Sequence, residues 1–155
     1  MSAGCGRPGC PEAGMRLRRR PGKVANYLLD TNILILALRS DPKALDLLDA
    51  LNREGMPPFI SVATRTEILA GMRPQEEKRT MRLLTSLLSL PVDETIADHA
   101  GRLIYQHARQ GIRLSFPDAF IAATALHHDL TLATTNPDHF PMPELRLHSF
   151  PAGTS

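Results

Sequence analysis

Four short stretches of this chain carry side chains able to do chemistry together. Asp30-Thr31-Asn32 follows directly on an apolar run, and Glu67 has Ala63, Ala70 and Gly71 around it at helical spacing. Asp118 falls three residues after Ser115, at the start of an alanine-rich apolar segment, and Asn136 and Asp138 follow the apolar stretch that closes with Thr134 and Thr135. Each has an ordinary structural explanation: a helix cap at Asp30, an exposed helical acid at Glu67, a first-turn acid at Asp118 and an Asn-Pro turn at Asn136. Together they say more. Three acids and an amide converging at element ends repel one another unless a cation compensates them, and all-oxygen donors suit Mg²⁺, or Mn²⁺ in its place. Such a site fits phosphodiester hydrolysis, in which the ion activates water and clamps the phosphate. The hydroxyls of Thr31 and Thr135 are suited to support it. No nucleophile motif, phosphate-binding glycine loop or dinucleotide glycine motif competes.

The elements that must position these residues alternate. Val24–Leu29 reads as a buried strand and residues 32–38 as a helix. A second helix runs from Pro42 to Asn52 behind an Asp41 cap, followed by a brief strand at Phe59 and Ile60. Ser61 caps a helix ending near Gly71. Further helices are expected over 75–88, 94–110 and, behind Ser115, through His128. A strand over 130–134 and an edge strand over 145–148 complete the set. Short strands alternating with helices predict a three-layer α/β/α sandwich around a mainly parallel, short-stranded sheet, which binds ligands beyond the carboxyl ends of its strands.

At 155 residues, one domain spanning 24–150 is expected, behind a disordered basic extension over 1–23. The extension holds six basic residues and one acid, and the remainder 12 basic and 15 acidic residues, so the basic excess belongs to the tail and a global field for nucleic acid is not indicated. Cys5 and Cys10 lie in this extension and read as reduced thiols, because no second pair completes a zinc site. Arg18 to Arg20 read as a solvated charge run, and Met15 offers a second start. No apolar run approaches the roughly 18 residues of a membrane span, and no secretory signal is present, which predicts a cytoplasmic protein.

The ordered blocks Leu28-Leu29-Asp30-Thr31-Asn32-Ile33-Leu34, Ser61 through Gly71, Asp118-Ala119-Phe120-Ile121-Ala122-Ala123-Thr124-Ala125 and Leu132-Ala133-Thr134-Thr135-Asn136 with Phe140 resemble the PIN-domain ribonucleases, most of all the VapC-type toxins of toxin–antitoxin pairs. The resemblance covers about Tyr27 to Phe140. It implies that Asp30, Glu67 and Asp118 are metal-binding acids, that Asn136 is the polar residue after the last catalytic strand, and that Thr31 and Thr135 are supporting hydroxyls. It also implies metal-dependent cleavage of single-stranded RNA leaving a 3′-hydroxyl and a 5′-phosphate, a homodimer, and a cognate antitoxin that covers the acidic cleft.

The chain departs from the pattern at His139, where many relatives carry an acid, so the fourth acidic contribution either comes from Asp138 or is lost, leaving a single metal. Arg65, Arg73, Arg109 and Arg113 are candidates for phosphate contacts, and the leucines of 45–51 and 83–88 for a dimer face. A catalytically silent fold that binds RNA or a protein is the alternative, against which the intact acidic trio argues. A small-molecule phosphatase would want a second acid at position 32, which is Asn.

Overall fold

Leu28 and Leu29 set the plan of the molecule. In a computed structural model, which describes residues 26–55 and 57–151, they lie in strand β1 (Tyr27–Leu29), and successive side chains of a strand point to opposite faces of its sheet. Leu28 enters one core with Phe59, Leu132 and the apolar faces of α5 (Glu94–Ala108) and α6 (Phe116–His127). Leu29 enters the other with Ile60, Ala133 and the residues of α1 (Thr31–Leu38), α2 (Pro42–Arg53), α3 (Val62–Gly71) and α4 (Glu77–Thr85). Two helical layers therefore sandwich one sheet, as the alternation of elements predicts.

The other strands are β2 (Phe59–Ser61), β3 (Leu88–Leu90), β4 (Thr131–Thr134) and β5 (Leu147–Ser149), in the order β3-β2-β1-β4-β5 with all four pairings parallel. The chain leaves β1 toward β2 and β3, then crosses back to place β4 on the other side of β1. That reversal puts the topological switch point between β1 and β4, where open parallel sheets form a crevice.

The caps fall where the sequence puts them. Asp41 accepts from the Ala44 amide at 3.0 Å, Ser61 from Ala63 at 3.1 Å and Ser115 from Asp118 at 3.2 Å. Several boundaries differ. The helix expected over 75–88 is a 3₁₀ turn at Pro74–Glu76, then α4, and the chain from Leu88 onward is an edge strand. Its leucines look helical in isolation, but Ser86 turns the chain and Pro91 bars a longer strand. Leu84 and Leu87 are core residues, and of 45–51 only Leu45 is an exposed leucine, with Leu48 and Leu51 buried. Strand β5 sits two residues later at its start than expected, at 147 rather than 145. The expected extension over 1–23, the start of the first strand, Cys5, Cys10 and the tail arginines lie outside the described residues.

His128 ends α6 almost fully buried, with Nδ1 lacking a hydrogen-bond partner among the described residues. Burial, and then the charge of His127, hold its pKa below the ordinary 6.5, while Asp93 pulls weakly the other way. The fold therefore binds this proton less tightly than the unfolded chain. The resulting stability is complete above pH 6.5 and is lost as pH falls through the lowered value, with a slope of at most about 1.4 kcal/mol per pH unit for one group. Urea unfolding of the wild type and His128→Phe at stepped pH should show this acid-side loss in the wild type and a flatter profile in the variant.

Candidate active site

Asp30 is the first residue beyond β1 and Thr134 the last of β4, and the register that pairs Leu29 with Ala133 brings them side by side across the switch point. The Thr134 hydroxyl donates to Asp30 Oδ2 at 2.7 Å, and the Thr31 amide donates to Asp30 Oδ1 at 2.8 Å. Both carboxylate oxygens are thus held, and only 5% of the residue is exposed.

Glu67 reaches the same place from α3. The Thr31 hydroxyl donates to Glu67 Oε1 at 2.7 Å, and the Thr64 hydroxyl lies 3.5 Å from that of Thr31. Thr31 therefore joins the ends of β1 and α3, its amide on one acid and its hydroxyl on the next. The space expected beside Glu67 is present, since a Cβ on Gly71 would meet nothing within 4 Å. Asp118, in the first turn of α6, is half-buried, with Oδ2 at 3.6 Å from His139 Nδ1.

The three acids share one electrostatic environment. Asp30 has its pKa raised from 3.8, first by burial and then by the negative charges of Asp118 and Glu67, against the lowering effect of the Thr134 and Thr31 hydrogen bonds. Among the described residues, no three His, Cys, Asp or Glu side chains are gathered closely enough to hold one ion. The donor chemistry nonetheless fits a hard divalent cation: the groups whose charges act on Asp30 are the carboxylates of Asp118 and Glu67, and no cation among the described residues offsets them.

The remaining candidates divide. The Asn136 amide donates to Thr134 Oγ1 at 3.0 Å, so Asn136 starts the 3₁₀ turn Pro137–His139 beside the site. Asp138 on that turn lines a cavity with Asp118. Asn32 and Thr135, both half-buried, make no side-chain hydrogen bond among the described residues. The hydroxyl that holds Asp30 belongs to Thr134, which is not among the candidate site residues read from the sequence. Pairing β1 with β4 by their last apolar residues identifies it: Leu29 opposite Ala133 leaves Asp30 opposite Thr134.

Of the arginines, Arg73 lines a groove with Glu67 and Arg113 a cavity with Asp118. Arg65 instead donates to Ser89 at 3.4 Å, and Arg109 stacks over Tyr105 with its carbon 5.6 Å from the ring centre. Replacing Thr134 by Val removes the donor to Asp30 Oδ2 and the acceptor for Asn136, both in a buried setting. It should lower the unfolding free energy by about 1–3 kcal/mol in chemical denaturation.

The PIN domain family model matches residues 27–143. The chain is 41% identical over 115 residues to Ribonuclease VapC10 of Mycobacterium tuberculosis, covering 74% of this chain and 86% of that protein. It is 37% identical over 120 residues to Ribonuclease VapC19 of the same organism, covering 77% and 96%. Among solved structures, a toxin–antitoxin complex from Klebsiella pneumoniae superposes with a TM-score of 0.63 at 30% identity, over 77% of this chain and 95% of that one. VapBC-1 from nontypeable Haemophilus influenzae superposes with a TM-score of 0.63 at 26% identity, over 79% and 96%.

Proposed function

The chain belongs to the PIN-domain family, and from that membership we propose that it is a VapC-type endoribonuclease, the toxin of a toxin–antitoxin pair, cleaving single-stranded RNA with Mg²⁺ or Mn²⁺. The observation that supports the reading is Asp30 at the switch point, where burial first, and then the charges of Asp118 and Glu67, raise the pKa of its carboxyl, and where Thr31 links it to Glu67. Asp30 and Asp118 are the principal metal ligands, and Glu67 ligates or orients the attacking water. A bound ion supplies the positive charge that activates water and stabilises the charge developing on phosphate. Thr31 fixes Glu67 relative to Asp30, Thr134 fixes Asp30 itself, and Asn136 and Asp138 stand at the substrate side. The relatives named as ribonucleases support the substrate class.

An antitoxin is the partner in this reading, supported by the similarity to toxin–antitoxin complexes. A groove of about 370 Å³, lined by Ile35, Ile68 and Met72 and by three arginines (Arg39, Arg73, Arg79) against two acids (Glu67, Glu76), offers an amphipathic segment apolar contact and a net charge of +1 for an acidic side chain. No helix among the described residues is long and apolar enough to cross a membrane. A cytoplasmic homodimer completes the proposal, and light scattering should return twice the chain mass.

The test is cleavage of a total small-RNA pool by the antitoxin-free protein with Mg²⁺ or Mn²⁺. Discrete fragments should form, and EDTA should reduce cleavage to background. A folded protein that cleaves nothing while binding RNA would instead be the catalytically silent form of the fold.

A further inference from the structure

The cavity on the Asp118 side of the site has not yet been assigned a ligand. It is a half-open concavity of about 320 Å³ between the turn after α5, the start of α6 and the 3₁₀ turn, lined by Ile112, Arg113, Ser115, Asp118, Asp138, His139 and Pro141, all but Asp118 exposed. Ile112 is an exposed apolar side chain, and the His139 ring stands beside Asp118 with 57% of its side chain exposed. Among the described residues, neither Asp138 nor Arg113 makes a side-chain hydrogen bond or ion pair. One small cavity thus combines apolar walls, an uncommitted carboxylate, an uncommitted guanidinium and one of the three acids of the reaction site.

We propose that this cavity is a nucleobase subsite for the RNA nucleotide next to the scissile phosphate, selective for guanine through Asp138. Unstacked bases of single-stranded RNA are read by stacking and by hydrogen bonds to their Watson–Crick edges. An ionised carboxylate only accepts hydrogen bonds. Guanine alone presents two adjacent donors on that edge, N1–H and the N2 amino group, which a carboxylate takes bidentately. Uracil presents one N–H between two carbonyls, and adenine and cytosine each place a ring-nitrogen acceptor beside their amino group, so all three set a lone pair against Asp138. Arg113 supplies the charge for the accompanying phosphate. The concavity has room for one nucleotide, and its Asp118 wall places that nucleotide beside the site of reaction. The groove at the Glu67 end is larger and differently lined, so the two ends of the acidic site are chemically distinct.

The inference rests on the ribonuclease reading, but its binding test does not require cleavage. The full chain is titrated with 5′-GMP, AMP, CMP and UMP while backbone amide shifts are followed, alone and as Asp138→Asn and Arg113→Gln. GMP should bind about tenfold or more tighter than UMP, the range expected of a bidentate contact, with shifts centred on Ile112 and His139. Asp138→Asn should remove the preference, and Arg113→Gln should weaken all four nucleotides alike. Cut ends mapped from a randomised single-stranded RNA should carry guanine beside the break in the wild type and lose that enrichment in Asp138→Asn. Equal affinities, a preference that survives Asp138→Asn, shifts confined to the Glu67 groove, or no binding of any nucleotide would each overturn the subsite. Guanine-selective binding without cleavage of any RNA would uphold the subsite and overturn the ribonuclease reading.

Discussion

Asp30→Asn should abolish RNA cleavage and at the same time stabilise the metal-free protein. The activity loss is expected to reach at least about a thousandfold, because the variant removes a carboxylate central to holding the ion, and every 1.4 kcal/mol of lost transition-state stabilisation is a factor of ten. The stability gain follows from linkage. Asp30 has a folded-state pKa above its ordinary 3.8, chiefly through burial, so the folded chain binds this proton more tightly than the unfolded one. Stability therefore falls as pH rises from 3.8 through the raised value, and at neutral pH the full penalty of the buried charge is present. Asn carries no charge and can keep the hydrogen bond from the Thr31 amide, while its NH₂ group turns toward the Thr134 hydroxyl, which rotates to accept. Melting in EDTA should place the variant a few degrees above the wild type. Added Mg²⁺ should raise the wild-type midpoint and leave the variant's in place. A variant that melts well below the wild type in EDTA would show that the Asp30 hydrogen bonds outweigh its charge.

Asp118→Asn should be equally inactive and, by contrast, neutral in stability. Asp118 is half-buried, its side chain has no hydrogen bond among the described residues, and the Nδ1 of His139 lies 3.6 Å from its Oδ2. Its backbone amide caps onto Ser115 whatever the side chain. The melting midpoint should stay within about a degree of the wild type, because surface substitutions of this kind shift stability by less than about 0.5 kcal/mol. Cleavage should fall by at least about a thousandfold, as for Asp30. An Asp118→Asn protein that retains full cleavage would remove the acidic site from the chemistry. The pair of variants separates two roles: Asp30 holds its charge in the interior at a cost to the fold, and Asp118 holds its charge at the mouth, where its repulsion of Asp30 ranks below the burial of Asp30 itself.

Much of this was legible in the residues because the fold follows a simple alternation. An acid directly after a buried strand, an acid within a helix that follows a strand, and an acid in the first turn of an alanine-rich helix all fall at the carboxyl edge of a parallel sheet. The sheet's all-parallel pairing and the three acids' shared environment agree with that expectation. What was not legible depended on where elements stop. Leu83 to Leu88 reads as one apolar helix until Ser86 turns the chain, so β3 is hidden in a leucine run. Thr134 becomes the partner of Asp30 only through the register of β1 against β4, which joins segments far apart in the chain. The cavity built by Asp138, Arg113 and Ile112 has no local pattern at all, since it joins two turns brought together only by tertiary packing.

The hydrogen bond between Asp30 and Thr134 spans 104 positions of the chain, because β1 takes its partner from the last third of the sequence. A nascent chain that has left the ribosome as far as Gly111 holds Asp30 and Glu67, but neither Asp118 nor the strand that positions Asp30. Domains are made from the amino end at a pace of roughly 5–20 residues per second, so the reactive edge is the last part to be completed. An RNA-cutting protein built in this order carries no finished blade while it is still attached to the message and ribosome producing it.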